Sequence, residues 1–389
     1  MADHPTSPTF DQDQELRSML SLKSRIPPDP TDGQTLKEGQ SSFRKIGAGA
    51  CGAIFAQDGK SLVFKLAKSP DPTELWNDYQ MHQKIAQAFK RHSNIGDVTV
   101  PECHFFVPGD RKSFWNKNPK VLDAAKDVCN LPTAALVSER ITPFPSATRK
   151  LLIDKYCPAK ARDAAYSDDA NKDCLVRLYL GSNTGRTTGG MFFSLRNYKL
   201  HLNHMVSLGL DTEALARRMG CALGVLHWGA KTDARDVEFV LGCSTKKLNP
   251  ATARATTKSA SDPPFTYTGP PTDEVDDFFC RETKVDDCFC PETKLFVLDF
   301  NQVRTITMDD DGVKTAVEAW KVNDPYYPKP LGETEAERKV WNFFRRSYLD
   351  ASYVVMKAHG LEGDEVYQNL PSKFILGITK VTEERLSRA

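Results

Sequence analysis

The sequence lacks the features that mark membrane and secreted proteins. No run approaches the 18 apolar residues that a transmembrane helix requires. The first twenty residues carry several acidic side chains and no apolar stretch, so they do not have the pattern of a secretory signal peptide. We therefore predict a cytoplasmic protein with no membrane partner.

Paired cysteines are also missing. The chain has ten cysteines but no CxxC pair, and only Cys288 and Cys290 lie close together. Structural zinc sites and disulfide scaffolds show regular, closely spaced cysteines. The spacing therefore argues against both, and we expect free thiols in a reducing compartment and no bound metal.

Neither sign of charge dominates, because the chain has 52 Lys and Arg and 51 Asp and Glu. This balance argues against a uniformly basic surface and against DNA as a partner. The charges are nevertheless segregated along the chain. Residues 111–120 carry four bases and no acid, residues 149–162 carry five bases and one acid, and residues 271–294 carry eight acids and three bases.

The 389 residues divide by composition. Residues 1–41 are rich in Pro, Asp, Ser and Gln and predict a mostly disordered tail with one short helix near Gln14–Leu22. Apolar runs over 43–47, 53–56, 61–67, 103–107 and 134–138, with one helix from Pro72, predict a small β-rich lobe over 42–140. Residues 141–389 predict a larger, mainly helical lobe with a strand over 175–180, helices over 211–228 and 333–359, and a polar, acidic insert at about 244–294. Residues 108–130 and 143–172 are expected to be loops. The pattern predicts an α+β fold of two lobes.

The insert contains a tandem repeat. VDDFFCRETK (Val275–Lys284) is followed directly by VDDCFCPETK (Val285–Lys294), and eight of ten positions match. One duplicated decapeptide is too short for a solenoid. It is either a local duplication in a tolerant loop or a metal clip built on Cys280, Cys288 and Cys290; the lack of a nearby histidine favours the duplication.

A glycine-rich segment lies between two predicted strands. Gly47, Gly49 and Gly52 allow a hairpin backbone to approach a ligand closely, and Lys65 follows in the next strand. A dinucleotide-binding site would instead need a strand followed by a helix. This order matches the glycine-rich loop and lysine of protein kinases, and Asp299-Phe300-Asn301 stands where a kinase has Asp-Phe-Gly. We therefore predict a two-lobed protein-kinase-like fold.

The expected catalytic loop departs from the kinase pattern. If Asp236 stands at the metal-binding Asn of a kinase, Lys231 stands at the catalytic Asp. Asn301 replaces the Gly of the metal-binding motif. Phosphoryl transfer needs the metal ligands and the catalytic Asp together, so these changes argue against kinase activity.

Several longer segments carry a resemblance to one family: LHW, DARDVEFVLG, LDFNQ, RLYLG and FFSLRNY. Together they resemble a fungal family of arginine-containing cyclodipeptide synthases over roughly residues 42–375. The resemblance implies an aminoacyltransferase that condenses arginyl-tRNA with a second aminoacyl-tRNA to a cyclo-arginyl-Xaa diketopiperazine. It implies charged tRNAs as partners and neither ATP nor a metal as cofactor.

A guanidinium is best bound by carboxylates, which accept two hydrogen bonds side by side. Proton transfer during acyl transfer needs a carboxylate or a histidine within hydrogen-bond reach. We take His227, Asp233 and Glu238 as candidates for that role, although His227 can equally be a buried residue that fastens its loop. The predicted arginyl-binding residues are Asp233, Asp236, Glu238, Asp299 and Asn301.

Binding of tRNA needs local positive charge and close backbone approach. Each basic run can also be an ordinary solvated loop, and Lys65 can be a structural ion pair. The predicted contacts to the tRNA end are Gly47, Gly49, Gly52, Lys65, Arg177, Arg196 and Asn197. The predicted contacts to the tRNA backbone are Arg111, Lys112, Lys117, Lys120, Arg149 and Lys150. The alternative functions are a kinase-like small-molecule phosphotransferase and a pseudokinase scaffold.

Overall fold

The chain forms two lobes, each built around its own β-sheet, and this confirms the predicted α+β, two-lobed fold class. The smaller lobe is rich in strands and the larger lobe is mainly helical. The computed structural model describes residues 10–26, 42–186, 192–244, 264–271, 274–275, 278–279, 292–361 and 365–388.

A helix precedes the first sheet, within the segment expected to be mostly disordered. Helix α1 (Phe10–Leu20) buries Leu16 and Leu20 in the core of the larger lobe. These two leucines are four residues apart and therefore lie on one helical face. The short helix predicted near Gln14–Leu22 is thus present, and it begins earlier, at Phe10.

The N-terminal lobe is a five-stranded antiparallel sheet in the order β1-β2-β3-β5-β4. One face of this sheet is buried, and it carries Phe55, Phe64 and Phe105, each from a different strand. Side chains alternate between the two faces along each strand, as in any half-buried sheet. Its strands are β1 (Phe43–Ala48), β2 (Gly52–Gln57), β3 (Leu62–Ala67), β4 (Cys103–Val107) and β5 (Ala135–Glu139). Its helices are α2 (Thr73–Arg91), α3 (Lys112–Lys117) and α4 (Pro119–Ala125).

The C-terminal lobe contains a four-stranded sheet in the order β7-β6-β8-β9. Strands β6 and β7 are parallel, whereas β6 with β8 and β8 with β9 are antiparallel. The strands are β6 (Val176–Tyr179), β7 (Tyr198–His201), β8 (Glu238–Ser244) and β9 (Glu292–Leu298).

Two helices of this lobe pack closely against each other, α8 (Thr212–Gly224) and α10 (Glu335–Ala358). A Cβ atom on Gly220 of α8 would lie 2.4 Å from the backbone oxygen of Phe344, so the two backbones are nearly in contact. A capping box between Thr334 and Glu337 begins α10. The helices are α5 (Ser146–Tyr156), α6 (Arg162–Ser167), α7 (Leu202–Ser207), α8 (Thr212–Gly224), α9 (Asp310–Val322), α10 (Glu335–Ala358) and α11 (Glu365–Leu386). A π-helical turn (Val225–Gly229) extends α8, and 3-10 turns cover Ala159–Ala161 and Asp169–Asp173.

Two regions expected to be loops contain helices. Residues 108–130 hold α3 and α4, and residues 143–172 hold α5 and α6. Burial of aromatic residues fixes these short helices, since Phe114 and Trp115 are both buried beneath the first sheet. In the insert, Val275 is buried in the same core, while most of the tandem repeat lies outside the described residues.

Ion pairs and hydrogen bonds join the two lobes. Arg44 on β1 and Arg140 just after β5 both bind Asp173 of the C-terminal lobe, the latter at 3.0 Å. Asn77 on α2 donates to the backbone oxygens of Asn301 and Val303 at 2.8 and 3.0 Å. The ends of β3, α2 and β9 therefore meet in one cleft, where the site lies.

Candidate functional site

The glycine-rich hairpin joins β1 to β2 and lies beside Lys65. A Cβ on Gly52 would lie 2.9 Å from a backbone oxygen of β3, so glycine is needed there. Gly47 has its nearest neighbour at 3.4 Å, and Gly49 has open space around it. Burial raises the pKa of the Cys51 thiol, which interacts electrostatically with Lys65, so this thiol is protonated at neutral pH.

Lys65 links the two lobes by ion pairs. Its Nζ lies 2.6 Å from Oδ2 of Asp78 on α2 and 2.8 Å from Oδ1 of Asp299, which follows β9. Burial opposes the charge of this ammonium, but Asp299 and Asp78 raise its pKa well above the ordinary value. In a protein kinase the β3 lysine, the αC acid and the Asp-Phe-Gly aspartate occupy these positions.

A second ion pair crosses the C-terminal sheet. Glu238 begins β8, and its Oε1 lies 2.7 Å from Nη2 of Arg177 on β6. Burial raises the pKa of Glu238 to about 7, opposed by Arg177 and reinforced by Asp299 and Asp236. This carboxyl group therefore changes its charge near neutral pH.

Asp236 lies next to this pair and is held by hydrogen bonds. Its Oδ2 accepts from Nε2 of Gln302 at 2.5 Å, and its N–H donates to Asn323 at 2.7 Å. Burial raises the pKa of Asp236, and the charge of Asp299 raises it further. Asp236 and Asp299 both have left-handed backbones, with φ of 60° and 64°, which aspartate tolerates better than most residues.

We call Asp236, Glu238 and Asp299 the acid cluster. The cations that act on this group are Lys65, Arg177 and Arg235, and Lys65 is shared with the buried Asp78. The charge of Asp299 nevertheless raises the pKa of both Asp236 and Glu238, so these carboxylates repel one another when charged. Such a site favours a cationic ligand.

Three residues that the sequence did not single out complete this site. The Tyr179 hydroxyl donates to Asp324, whose charge acts on Asp236. Burial raises the pKa of Tyr326, and the charge of Glu238 adds to this effect. No spacing rule identifies them, because residues 324–327 meet β6 and the residues just after it only through contacts formed in the folded chain.

The structure does not bring His227 to the acid cluster. This residue is buried in the π-helical turn, where Nδ1 lies 3.0 Å from the Tyr348 hydroxyl. Burial lowers the pKa of His227 to about 3, so the ring is neutral. Its contacts correct the proposed proton-transfer role and fit the alternative, a histidine that fastens its loop.

Asp233 is also directed into the protein. Its side chain is buried, and Oδ1 accepts the backbone N–H groups of Arg235 and Arg304 at 3.1 and 2.9 Å. Burial raises its pKa, while these two arginines lower it. Asp233 therefore clamps the loop backbone, which corrects its expected roles in arginyl binding and catalysis.

The remaining predicted contacts fall in different places. Asn301 is buried, and its backbone oxygen joins α2 to the loop after β9. Arg196 donates to the backbone oxygen of Lys45 at 3.5 Å and so lies near the glycine-rich hairpin. Asn197 is exposed, has a φ of 57°, and lines a separate cavity beside β7.

The predicted tRNA-backbone residues lie on both lobes. Arg111 precedes α3 with its guanidinium 4.6 Å from the ring centre of Tyr267, so it is already engaged within the protein. The exposed lysines of this group are Lys112, Lys117 and Lys120 on the N-terminal lobe and Lys150 on α5. Arg149, on α5, is half-buried.

One family model matches the chain, over residues 295–360, and it is the DUF3669 family, described as a zinc finger protein. The match covers less than half of the chain and leaves membership open. No curated protein and no solved structure matches the chain. The family assignment suggested by the resemblance to arginine-containing cyclodipeptide synthases is therefore wrong, because the matching model carries a different description.

The residues of the matched segment do not fit a zinc finger. Such a site uses four cysteine or histidine ligands, but residues 295–360 contain no cysteine and only one histidine, His359. Across the described ranges, no group of three or more His, Cys, Asp or Glu is placed to hold a metal ion. Cys280, Cys288 and Cys290, the proposed metal clip, lie outside those ranges.

The helices that the structure describes lack the length and apolar character that a membrane span needs. In the part of the chain that the structure describes, every helix is too short or too polar to cross a bilayer.

Proposed function

We propose that this chain condenses the arginyl group of arginyl-tRNA with the aminoacyl group of a second charged tRNA, giving a cyclo-arginyl-Xaa diketopiperazine. The observation that carries the proposal is the acid cluster, in which the charge of Asp299 raises the pKa of the partly buried Asp236 and Glu238. An arginyl guanidinium would bind such carboxylates with paired hydrogen bonds. The proposal rests on the residues of the cleft and not on family membership.

Asp236 and Asp299 are the residues proposed to hold the guanidinium. Each carboxylate raises the free energy of the other's charge, and burial adds to this in Asp236. A bound cation between them would relieve that repulsion. Lys65 would fix Asp299 from the opposite side through its 2.8 Å contact.

Glu238 is the residue proposed to move the proton. The amine of one aminoacyl ester attacks the carbonyl carbon of the other, an amide C–N bond forms, and the ester C–O bond breaks. The proton lost by the amine passes to the ribose oxygen that leaves, and the same exchange on the other ester closes the ring. A carboxyl group with a pKa of about 7 can accept and return that proton at neutral pH.

The tRNA would contact positive charge outside the cleft. The exposed lysines of α3 and α4 lie on the N-terminal lobe, and Lys150 lies on α5 of the other lobe. Because phosphate contacts dominate tRNA affinity, neutralising these lysines should weaken binding and reduce its dependence on salt. A tRNA-dependent reaction also places the chain in the cytoplasm, where charged tRNA is found.

The test is product formation from charged tRNA. Purified chain is incubated with total tRNA, aminoacyl-tRNA synthetases, isotope-labelled arginine and the other amino acids, and cyclic products are measured by mass spectrometry. We expect labelled cyclo-arginyl products that disappear when ribonuclease is added after charging. Glu238→Gln should reduce the yield by about 100-fold or more, and the exposed-surface control Asp350→Asn should not. Absence of product, or product that survives ribonuclease, contradicts the proposal.

A second candidate is a small-molecule phosphotransferase, favoured by the contacts of Lys65 with Asp78 and Asp299. In a kinase the corresponding lysine contacts the nucleotide phosphates and the aspartate that follows the strand binds Mg²⁺, so Lys65 and Asp299 would take these roles. Lys231, at the position of the catalytic Asp, is exposed. Its charge lowers the pKa of Lys84 and of His359, which are far from it in the sequence. This candidate predicts that Mg²⁺ with ATP raises the melting temperature and that Lys65→Met abolishes the rise; no rise removes it.

A further inference from the structure

We infer that a cavity beside β7 binds the terminal adenosine 5′-phosphate unit of a tRNA acceptor strand, an inference that rests on the proposed function. The cavity has a volume of about 400 Å³, within the range of small-molecule sites. It lies outside the acid cluster. Six of its lining residues carry the argument: Tyr156, Arg186, Phe193, Tyr198, Lys199 and His204. We call it the β7 cavity.

Aromatic rings form one wall of the β7 cavity. The ring centres of Tyr156 and Tyr198 are 5.6 Å apart, and those of Phe193 and Tyr198 are 5.9 Å apart. Proteins bind unpaired bases by stacking them on such aromatic side chains. Tyr156 and Tyr198 are buried, so the half-buried Phe193 supplies the accessible ring on which a nucleobase would stack.

The charges around the β7 cavity suit an anion. Arg186 and Lys199 line it, and none of the described lining residues is acidic. Burial lowers the pKa of both His201 and His204, so these rings are neutral and the positive charge comes from the arginine and the lysine. A base joined to a phosphate meets both the aromatic wall and these cations.

Two buried polar groups of the β7 cavity have no hydrogen-bond partner within the described parts of the chain. They are the hydroxyl of Tyr156, a residue 3% exposed, and Nδ1 of His204, a residue 7% exposed. Buried polar groups in folded proteins are nearly always paired. The ring nitrogens and ribose hydroxyls of an adenosine supply suitable partners.

The sheet connects this cavity to the acid cluster. Lys199 on β7 is paired with Arg177 on β6, so the two side chains lie on one face, and Arg177 binds Glu238 of β8. The Lys199 Nζ also lies 5.2 Å from the ring centre of Tyr179. Two strand spacings separate the backbones of β7 and β8, about 10 Å. Lys199, and not its strand neighbour Tyr198, lies on the sheet face that carries Arg177 and Glu238, because side chains alternate between faces along a strand. A terminal adenosine whose phosphate contacts Lys199 would lie on the side of the acid cluster, which favours the tRNA end over a free nucleotide.

The experiment measures binding without turnover, so its outcome does not depend on product formation. Fluorescence anisotropy of the full-length chain is recorded with an uncharged RNA minihelix ending in CCA, with the same minihelix lacking the terminal adenosine, and with AMP and ATP as competitors. We expect loss of the terminal adenosine to weaken binding about tenfold, and AMP and ATP to compete only weakly. Equal binding of the two minihelices, or competition by ATP at the concentration of the minihelix, overturns the inference.

Substitutions test whether the minihelix binds in the β7 cavity. Lys199→Gln should weaken binding of the CCA minihelix about tenfold, through loss of one charged contact. Lys380→Gln, the same charge change on exposed α11, should not. Tyr156→Phe should weaken binding about fivefold yet leave the melting temperature unchanged or higher, because it removes an unpaired hydroxyl. If Lys199→Gln behaves like Lys380→Gln, the β7 cavity is not the site.

Discussion

At the scale of residues, the site depends on where each carboxylate points. Asp233 and Asp236 are three positions apart, yet Asp233 clamps backbone N–H groups and Asp236 faces the acid cluster. The sequence predicted the importance of this acidic segment, but it could not separate the two roles. The separation depends on left-handed backbones at Ala234 and Asp236, which no residue pattern indicates.

Glu238 should make stability fall as the pH rises. Its pKa is raised from 4.5 to about 7 in the folded chain, so the folded state binds the proton more tightly than the unfolded state. The stability from this proton is fully present below about pH 4.5 and is lost as the pH passes through 7. The free energy of unfolding should therefore fall between pH 5 and pH 8. We expect Glu238→Gln to make this fall smaller by about 1–3 kcal/mol, measured by urea unfolding.

The matched control for this experiment is Glu318→Gln, which changes an exposed glutamate on α9. It should leave the dependence of the unfolding free energy on pH unchanged. If Glu238→Gln and the unaltered chain show the same dependence, burial does not perturb the pKa of Glu238.

At the scale of elements, periodic apolar patterns predicted most of the structure. Strands β1 to β6 and the helices α2, α8 and α10 appear where the spacing of apolar residues placed them. The short helices α3 to α6 were missed because tertiary burial of a few aromatic residues stabilises them, with little amphipathic pattern. Strand β7 was also missed, because it is four residues long and depends on pairing with β6.

The pairing of α8 with α10 should be intolerant of added volume at Gly220. A methyl group there would meet the Phe344 backbone oxygen at 2.4 Å, so the helices must separate. We expect Gly220→Ala to lower the free energy of unfolding by about 1–3 kcal/mol even though alanine favours helix. Gly377→Ala in α11 meets a side-chain methyl of Val317 at 2.7 Å rather than a backbone atom, so it should cost less. Equal losses in thermal unfolding would contradict the close packing of α8 with α10.

At the scale of the whole molecule, the acid cluster of the C-terminal lobe is in contact with the N-terminal lobe through Lys65. Lys65 and Asp78 come from the N-terminal lobe, whereas Asp299 and Glu238 come from the C-terminal sheet. The glycine-rich hairpin, Lys65 and Asp299 were predicted from the sequence because their order along the chain follows a kinase-like plan. Asp324, Tyr179 and the β7 cavity were not, because they depend on contacts between segments far apart in sequence.

The near-zero net charge of the chain conceals this arrangement. An acid cluster in the cleft, a cavity with two cations beside β7 and exposed lysines on both lobes contribute opposite charges to one sum. In the proposed account each of these regions binds a different part of one aminoacyl-tRNA. The cationic end of the substrate would meet the acid cluster, and the phosphates would meet the bases.

The most direct test of the central claim is the binding of an arginyl ester to the acid cluster. Isothermal titration at pH 7.5 compares arginine methyl ester with citrulline methyl ester, whose side chain has nearly the same shape but no charge. We predict that only the arginine ester binds, that Asp236→Asn weakens it about tenfold through loss of a charged hydrogen bond, and that Asp350→Asn does not. Equal binding of the two esters, or binding unaffected by Asp236→Asn, would contradict the account.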